Sequence, residues 1–354
     1  MQLTKLKLQN FRCFKQKELA LDAPIILIEG NNGSGKTSIL EALHYLCYLR
    51  SFRTHLPREL INFDDDNFFI QAEFFDNDAT KNELSVGFQN KKRSVKFNQR
   101  AVTSYKELID HFRIVTLCED DLQLIKGAPD ERRSFIDQFI FLHDPKIITA
   151  LRTYRNILSN RNALLQQPSA KDMYELWTKQ LWEKTVEVQA TRIEHLELLE
   201  KEMLDLCTEF FGSEYSIKLE YNQKKSSEKS LSSFLSEHEQ LNHDEHRMRR
   251  SLFGAHLDDF AIIFQHKKSR TYASRGQQKL LVLLLKIAEI KILARLKGPS
   301  IFLLDDFMTD FDQPRLERFV NLLQSLDCQL IFTTPLQGCP LDQLLKNEHK
   351  TILV

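Results

Sequence analysis

Residues 30 to 37 combine three glycines with a lysine and a threonine, in the spacing of a phosphate-binding loop. Glycines let the backbone wrap closely around an anion, because they reach left-handed conformations without steric cost. The spacing predicts that Lys36 contacts the β and γ phosphates of ATP and serves catalysis, and that Thr37 binds Mg²⁺. A chance glycine-rich turn is the alternative; the apolar strand before the loop and the helix after it disfavour that reading. The predicted nucleotide contacts are Gly30, Asn31, Asn32, Gly33, Ser34, Gly35, Lys36 and Thr37.

A second pattern places two carboxylates at the end of a buried strand. Four apolar residues, 301–304, lead directly into Asp305 and Asp306. Because ligands of parallel sheets bind beyond the carboxyl ends of the strands, Asp305 is predicted to hold Mg²⁺, directly or through water. Asp306 then lies beside the attacking water as its base or orienter, which makes it the predicted catalytic carboxylate. An acidic cap on a strand before a turn is the simpler alternative.

A third pattern opens a long apolar helix upstream of the acidic pair. Ser274, Arg275, Gly276 and Gln277 resemble the ABC signature L-S-G-G-Q, in which a serine hydroxyl, a glycine amide and a helix terminus bind an anion. One chain cannot fold its own signature onto its own phosphate loop. The resemblance therefore implies that ATP joins two copies head to tail. The alternative is a polar helix cap, with Ser274 bonded to Gln277.

The second acidic position bears on the rate of hydrolysis. Most ATPases that resemble this arrangement carry glutamate where this chain has Asp306, and the longer side chain brings its carboxylate nearer the attacking water. The pattern predicts slow hydrolysis, with turnover not far above the order of 1 per second, which suits a timing switch.

Strand and helix patterns alternate around these residues. An alternating strand around Leu6 and Leu8 is followed by a buried-type strand at 25–28, the loop, and a helix from Lys36 to about Tyr48. Three alternating segments, at 68–75, 84–88 and 95–97, predict an antiparallel β layer. The fold class is therefore predicted as α/β, an ABC-type P-loop ATPase head with this β layer attached and a helical lobe inserted.

The inserted lobe is indicated by helical periodicity from 130 to 211. The residues at 166–169 interrupt it, which predicts a short helical hairpin whose arms are a few turns long. A polar stretch at 222–250 is predicted to be an exposed connection or a mobile helix. Later elements at 260–264, 276–296, 301–304 and 329–333 are predicted to complete the first sheet. The ATPase domain would then comprise 1–117 and 213–354, and the lobe 118–212.

Composition sets broad limits on the class of protein. Basic and acidic residues both number 49, so the formal net charge is zero, which disfavours a protein that coats DNA through charge alone. No apolar run is long enough to span a bilayer, and the first residues lack the core of a signal peptide, so a cytoplasmic protein without membrane contact is expected. The six cysteines have no zinc spacing and are predicted to be small buried residues.

Further motifs resemble the RecF family, which shares its ATPase motifs with SMC and ABC proteins. The match runs in order along most of the chain. It is carried by Asn10-Phe11-Arg12, Ser51-Phe52-Arg53-Thr54, Glu119-Asp120-Asp121-Leu122, Gly127-Ala128-Pro129, Glu131-Arg132-Arg133, Ser274-Arg275-Gly276-Gln277 and Asp305-Asp306. Ala255 and Leu257 depart from the usual proline and arginine, and Asp310-Phe311 departs from the usual glutamate and leucine.

The resemblance implies an ATP-dependent DNA-binding protein of single-strand gap repair that also supports replication and the SOS response. It implies that ATP drives dimerisation on single-stranded or gapped duplex DNA, and that RecR and RecO are partners in loading RecA. The competing hypotheses are an ATPase subunit of a transporter and a scaffold that binds ATP without hydrolysing it.

Several other residues have a functional and a simpler structural reading. Three basic clusters are candidate DNA contacts, although solvated surface explains each more simply. They are Lys91-Lys92-Arg93, Arg152 with Arg155 and Arg161, and Lys267-Lys268 with Arg270. His256 is either a sensor of nucleotide or a hydrogen-bonded structural residue, with the second favoured. Trp177 and Trp182 lie at helical spacing in an apolar seam and are predicted to be core.

Overall fold

The chain forms two compact units. The first comprises Met1–Asp121 and Lys279–Val354, and the second comprises Leu122–Gln278. The computed structural model describes residues 1–76, 78–102, 105–166, 171–212, 214–224, 230–306, 311, 313–335, 341–345 and 349–354. Helices and both kinds of sheet are present, so the predicted α/β class is confirmed.

The first unit is built on two sheets. Its elements before the second unit are β1 (Gln2–Phe11), β2 (Phe14–Ala20), β3 (Ile25–Gly30), α1 (Lys36–Tyr48), β4 (Asn67–Phe75), β5 (Lys81–Gln89), β6 (Lys92–Phe97), β7 (Arg100–Ala101), α2 (Tyr105–His111) and β8 (Ile114–Leu117). The elements of the second unit are α3 (Gln123–Lys126), α4 (Pro129–His143), α5 (Ile147–Leu165), α6 (Lys171–Phe211), β9 (Ile217–Asn222), α7 (Leu231–Met248), β10 (Asp259–Phe264), β11 (Lys267–Lys268) and α8 (Ser269–Tyr272). The chain continues with α9 (Arg275–Lys297), β12 (Ser300–Asp305), α10 (Gln313–Gln324), β13 (Cys328–Pro335), α11 (Leu341–Leu344) and β14 (Lys350–Leu353).

A five-stranded parallel sheet positions the candidate site. Its strand order is β14-β3-β13-β12-β8. Strands buried on both faces are continuous apolar runs, and residues 25–28 and 301–304 are all buried. In the register, Asp305 pairs with Thr333, and two residues later along β13 Pro335 pairs with Gly30. The carboxyl ends of β3, β12 and β13 therefore lie at one edge.

The second sheet of this unit is the predicted antiparallel layer. Six strands follow the order β2-β1-β4-β5-β6-β7. In β4, residues Phe68, Ile70, Ala72 and Phe74 are buried, while their neighbours are at most half-buried. This period of two is what a sheet with one covered face requires. The predicted strands at 68–75, 84–88 and 95–97 are confirmed as β4, β5 and β6.

The helices of the second unit are longer than predicted. Helix α5 has 19 residues and α6 has 41, which corresponds to about 60 Å at 1.5 Å per residue. The prediction of arms only a few turns long is wrong, because α6 contains neither proline nor glycine and its apolar seam continues to Phe211. Of the predicted interruption at 166–169, Gln166 caps α5 and the other residues lie outside the described part.

Two further expectations fail in this unit. The segment 260–264 does not complete the first sheet, since β10 pairs with β9 along six residues in a separate sheet of order β11-β10-β9. In the stretch 222–250, the helix that was one of the two predicted alternatives is present as α7, but the expected exposure is wrong, because α7 buries Phe234, His238 and Glu245. The elements from β9 to α8 belong to the same compact unit as the long helices, although 213–278 was predicted to be part of the ATPase domain.

Candidate nucleotide site

The loop between β3 and α1 depends on glycine at two positions. Gly35 adopts φ 105°, and a Cβ there would meet the side chains of Phe14 and Cys13. A Cβ on Gly30 would clash with the Ser34 hydroxyl oxygen. Helix α1 starts at the next residue without an acidic side chain in its first turn. Its first amides and the positive end of its dipole are therefore available to an anion.

Lys36 and Thr37 follow directly at the start of α1. The Lys36 ammonium is buried and donates to the carbonyl oxygens of Gly30, at 2.7 Å, and Asn31, at 3.0 Å. These two carbonyls hold the ammonium at the loop. The Thr37 hydroxyl donates to the Asp305 carboxylate at 3.0 Å. The two predicted metal ligands thus lie together, although they are 268 positions apart in the chain.

Thr333 completes the group around Asp305 and was not predicted. Its hydroxyl donates to the Asp305 carboxylate at 2.8 Å and accepts from the backbone amide of Asp306 at 2.9 Å. Burial raises the pKa of the Asp305 carboxyl, against the opposite effect of the hydrogen bonds from Thr333 and Thr37. A hydroxyl and a carboxylate are the hard oxygen ligands that Mg²⁺ prefers, so the donor set fits this metal.

Asp306 has a different environment from Asp305. It adopts φ 46°, a left-handed conformation that is uncommon for residues other than glycine. Strand β12 ends directly before it, at Asp305. Both carboxylates line the same cleft as Lys36 and Thr37. The geometry thus brings together the predicted lysine, threonine and aspartate pair.

The cleft has a volume of about 1020 Å³, which is sufficient for a nucleotide. Asn32, Gly33 and Gly35 of the loop line it. The Ser34 hydroxyl is buried and finds no hydrogen-bond partner among the described residues. A buried hydroxyl without a partner in such a loop fits a site that binds an anion. The cleft is also lined by Arg12, Arg53, Arg58, Glu59, Asn62, Asp65 and Asp66.

The signature-like residues lie in the second unit and at the start of α9. The Ser274 amide donates to the Gln277 side chain at 2.8 Å, and the Gln277 amide donates to the Ser274 hydroxyl at 3.3 Å. This reciprocal pair is a capping box, so the local alternative is realised. Ser274, Arg275, Gly276 and Gln277 are nevertheless all exposed, and a Cβ on Gly276 would meet nothing within 4 Å. The cap leaves the face of the helix end open to a ligand.

One of the candidate DNA contacts is excluded by burial. Arg161 is completely buried and forms an ion pair of 2.6 Å with Glu245, so its proposed role at a DNA surface is wrong. Its position on α5 faces α7 and not solvent. The other basic candidates are exposed, namely Lys91, Lys92, Arg93, Arg152, Arg155, Lys267, Lys268 and Arg270.

The remaining flagged residues have structural environments. The Tyr154 hydroxyl lies 2.7 Å from Nδ1 of His256, and burial lowers the pKa of this histidine to about 4. Trp177 and Trp182 are half-buried on α6. Cys47, Cys118 and Cys207 are buried as expected, whereas Cys13 is exposed and Cys328 is half-buried. Asp310, Asp312 and Cys339 lie outside the described residues, and Phe311 packs against Phe319.

Comparison with known proteins decides the family. The family model described as RecF/RecN/SMC N terminal domain matches residues 2–339. The DNA replication and repair protein RecF of Citrifermentans bemidjiense is 30% identical, over 98% of this chain and 97% of that protein. Its counterpart in Leptospira interrogans is 33% identical, over 95% and 92%. The chain belongs to the RecF family. The resemblance found in the sequence is therefore confirmed.

Solved structures agree with this membership. A RecF recombination mediator with ATP matches with a TM-score of 0.86 and 26% identity, over 95% of this chain and 92% of that one. An Smc head domain from Pyrococcus furiosus matches with a TM-score of 0.54 and 17% identity, over 94% and 89%, which concerns the fold alone. This RecF-family chain thus has the ABC-type ATPase fold. Among its described helices, none is both long and apolar enough to cross a bilayer.

Proposed function

We propose that this RecF-family protein acts in DNA replication and repair and binds ATP with Mg²⁺ in the cleft at Lys36 and Thr37. The observation that carries the proposal is the Thr37 to Asp305 hydrogen bond of 3.0 Å beside a buried lysine that is held by loop carbonyls. Bound at these oxygens, Mg²⁺ would add positive charge next to the β and γ phosphates. The likeness to a RecF structure with ATP supports the choice of nucleotide.

The protein would act as a switch between single chains and a dimer on DNA. In this proposal, the exposed Ser274, Arg275, Gly276 and Gln277 of one copy bind the γ-phosphate held by the loop of the other. A ligand that contacts only the dimer stabilises the dimer by mass action, and slow hydrolysis then releases it. Asp306 orients the attacking water, and Lys36 stabilises charge on the phosphates.

The switch is tested by measuring the molar mass of the protein by light scattering. Samples with and without ATP and Mg²⁺, each with and without gapped DNA, separate the effect of nucleotide from that of DNA. We expect single chains without nucleotide, dimers with ATP and Mg²⁺, and more dimer when gapped DNA is added. Single chains under every condition would contradict the switch.

Replacing Ser274 with alanine is expected to weaken the dimer without changing ATP binding to the single chain. The substitution removes the hydroxyl that the signature would offer to a phosphate, at a cost of about tenfold or more in dimer affinity. Titration with a fluorescent ATP analogue and light scattering measure the two affinities. Ser232→Ala, an exposed serine in the first turn of α7, is the matched control. An unchanged dimer affinity would remove the signature hypothesis.

Replacing Asp306 with asparagine is expected to prolong the ATP-bound dimer. The amide keeps the size of the side chain but cannot accept a proton from water, so turnover should fall by about 10² or more. Phosphate release in a single turnover and the lifetime of the dimer measure the effect. If the unaltered protein itself releases no phosphate, the protein is a scaffold that binds ATP without hydrolysing it.

DNA contacts are proposed for the exposed basic clusters. For each phosphate contact that is removed, the slope of the logarithm of the DNA-binding constant against the logarithm of the salt concentration should fall by about one. The loss of DNA affinity should be spread over several sites. Replacement of Lys91 and Lys92, of Arg152 and Arg155, and of Lys267 and Lys268 tests the three clusters separately. Arg161 is not among them.

Partners and location complete the proposal. A solved relative is named as a recombination mediator of the RecFOR pathway, which supports RecO and RecR as partners. The proposal includes the loading of RecA as the outcome. Support for replication and for SOS induction is part of the same proposal. Work on chromosomal DNA implies a cytoplasmic location. Membership of the RecF family disfavours the alternative hypothesis that the protein is the ATPase subunit of a transporter.

A further inference from the structure

The phosphate-loop helix carries a buried carboxylate. Glu41 lies on α1 four residues beyond Thr37, so the two side chains are on one face of the helix, one turn apart. Its side chain is 0% exposed. A buried carboxylate is costly unless its charge and its lone pairs are satisfied, so its partners indicate what it does.

The first partner of Glu41 is Arg12, which follows β1. The Arg12 Nε donates to Oε2 at 2.8 Å and its Nη2 donates to Oε1 at 2.6 Å, which is a bidentate pair. The remaining Nη1 donates to the Glu59 carbonyl at 2.7 Å. This geometry fixes the plane of the guanidinium, because the two parallel hydrogen bonds define its orientation.

The second partner is the loop that follows α1. The Ser51 hydroxyl donates to the Glu41 carboxylate and accepts from the backbone amides of Arg53, at 2.8 Å, and Thr54, at 3.1 Å. The Arg53 Nη1 itself lies 3.7 Å from Oε2 of Glu41. The Glu41 carboxylate therefore holds the backbone turn at 51–54 through Ser51 and also lies beside Arg53, which belongs to that turn.

Both arginines line the cleft that contains Lys36, Thr37 and Asp305. Arg12 and Arg53 keep 20% and 45% of their side chains exposed, while the carboxylate between them has no exposure. The two guanidinium groups and the one carboxylate together carry a net positive charge, at a cleft wall that also includes the acidic residues Glu59, Asp65 and Asp66. Guanidinium groups held in place at such a wall stabilise charge that develops on phosphates, and they need no rearrangement to do so.

We infer that Glu41 is a positioning residue, which holds Arg12 and Arg53 toward the phosphates of a nucleotide in the cleft. This inference rests on the proposed function, because it takes the cleft to bind ATP. In this proposal, the loop amides and Lys36 bind the nucleotide without any contact to Glu41. Loss of the carboxylate should therefore reduce turnover far more than affinity.

The substitution Glu41→Gln tests the inference while preserving the shape of the side chain. A carboxamide has one acceptor oxygen and one donor nitrogen, so in either orientation its nitrogen faces a donor of Arg12. In the nucleotide-free protein, we expect the amides of Arg53 and Thr54 to exchange hydrogen at least about tenfold faster. With ATP, we expect turnover to fall at least about tenfold while the affinity for a fluorescent ATP analogue stays within about threefold.

Two variants serve as companions to Glu41→Gln. Glu107→Gln removes an exposed carboxylate from α2 of the same unit and should change neither exchange at 53 and 54 nor turnover. Ser51→Ala cuts the link from the carboxylate to the turn but leaves the pair of Glu41 with Arg12 intact. Ser51→Ala should reproduce the faster exchange, and the double variant should be less than additive, because both changes act on one link. The Ser51 variant also keeps the test available if Glu41→Gln does not fold.

The outcomes separate this inference from the proposed function. Unchanged exchange at Arg53 and Thr54 in both variants would overturn the positioning role. Faster exchange with unchanged turnover would reduce Glu41 to a structural residue and overturn the inference as well. If the unaltered protein does not bind the ATP analogue, the proposed function is wrong. The exchange measurement needs no nucleotide, so it still tests whether Glu41 holds the turn at 51–54.

Discussion

Replacing Lys36 with alanine is expected to abolish measurable ATP binding and, with it, the ATP-dependent dimer. The Lys36 ammonium is the charge that the loop itself supplies, and it is buried against the carbonyls of Gly30 and Asn31. A hydrogen bond to a charged group contributes about 1.5 to 3 kcal/mol, and this ammonium would make more than one with phosphates. A loss of at least about 100-fold in affinity follows.

The measurement is a titration with a fluorescent ATP analogue, followed by light scattering with ATP and Mg²⁺. Lys96→Ala is the matched control, since Lys96 is an exposed lysine on β6 of the same unit. The thermal unfolding temperature of both variants should stay close to that of the unaltered protein without nucleotide. If Lys36→Ala forms dimers at the same ATP concentrations as the unaltered protein, the assignment of the phosphate loop is contradicted.

The phosphate loop was predictable because its chemistry is local. Glycines, lysine and threonine stand within eight consecutive positions, and the strand and helix on either side leave their own patterns. Glycine permits backbone conformations such as φ 105° at Gly35 without steric cost. The acidic pair after β12 was predictable for a similar reason, since a buried parallel strand is a continuous apolar run.

Thr333 and Glu41 could not be assigned roles from the sequence because their partners are distant in the chain. Thr333 reaches Asp305 through the register of two parallel strands, which no local pattern records. In the sequence, nothing distinguishes Glu41 from an ordinary polar residue of an apolar helix. Only the fold shows that it lies between Arg12 and the turn at Ser51, both of which the family resemblance had marked without giving a role.

The second unit was predicted least well, for a physical reason. Polar residues in a sequence are taken as exposed, and this holds unless their charges are paired. Helix α7 is rich in Ser, Glu and His, yet its buried face carries His238 and Glu245. Their partner Arg161 lies on α5, 84 positions before Glu245. Without that pairing, the sequence of α7 predicts a solvated segment.

Replacing Arg161 with methionine is therefore expected to destabilise the second unit strongly. The guanidinium donates to both carboxylate oxygens of Glu245, at 3.2 and 2.6 Å, and to the hydroxyl of Ser251 at 2.6 Å. Methionine would leave Glu245 as a buried carboxylate with fewer donors. Removal of one partner of a buried ion pair costs about 3 to 5 kcal/mol.

Urea unfolding followed by tryptophan fluorescence measures this loss. Both tryptophans of the chain, Trp177 and Trp182, lie on α6, so the signal reports on the second unit. Arg155→Met, an exposed arginine on the same helix α5, is the control and should change the free energy of unfolding by less than about 0.5 kcal/mol. A similar small change for Arg161→Met would show that the buried pair does not hold α7 in place.

The same pair predicts a dependence on pH. Burial raises the pKa of Glu245, but hydrogen bonds from His238 and Arg161 outweigh this and lower it to about 2, from an ordinary value of 4.5. A carboxyl with a lowered pKa in the folded state stabilises the fold above its unfolded pKa. That contribution is lost as the pH falls from about 4.5 toward 2. In Arg161→Met/Glu245→Leu, which removes both charges, this part of the pH dependence should disappear, and at neutral pH the double variant should regain at least half of the stability lost in Arg161→Met.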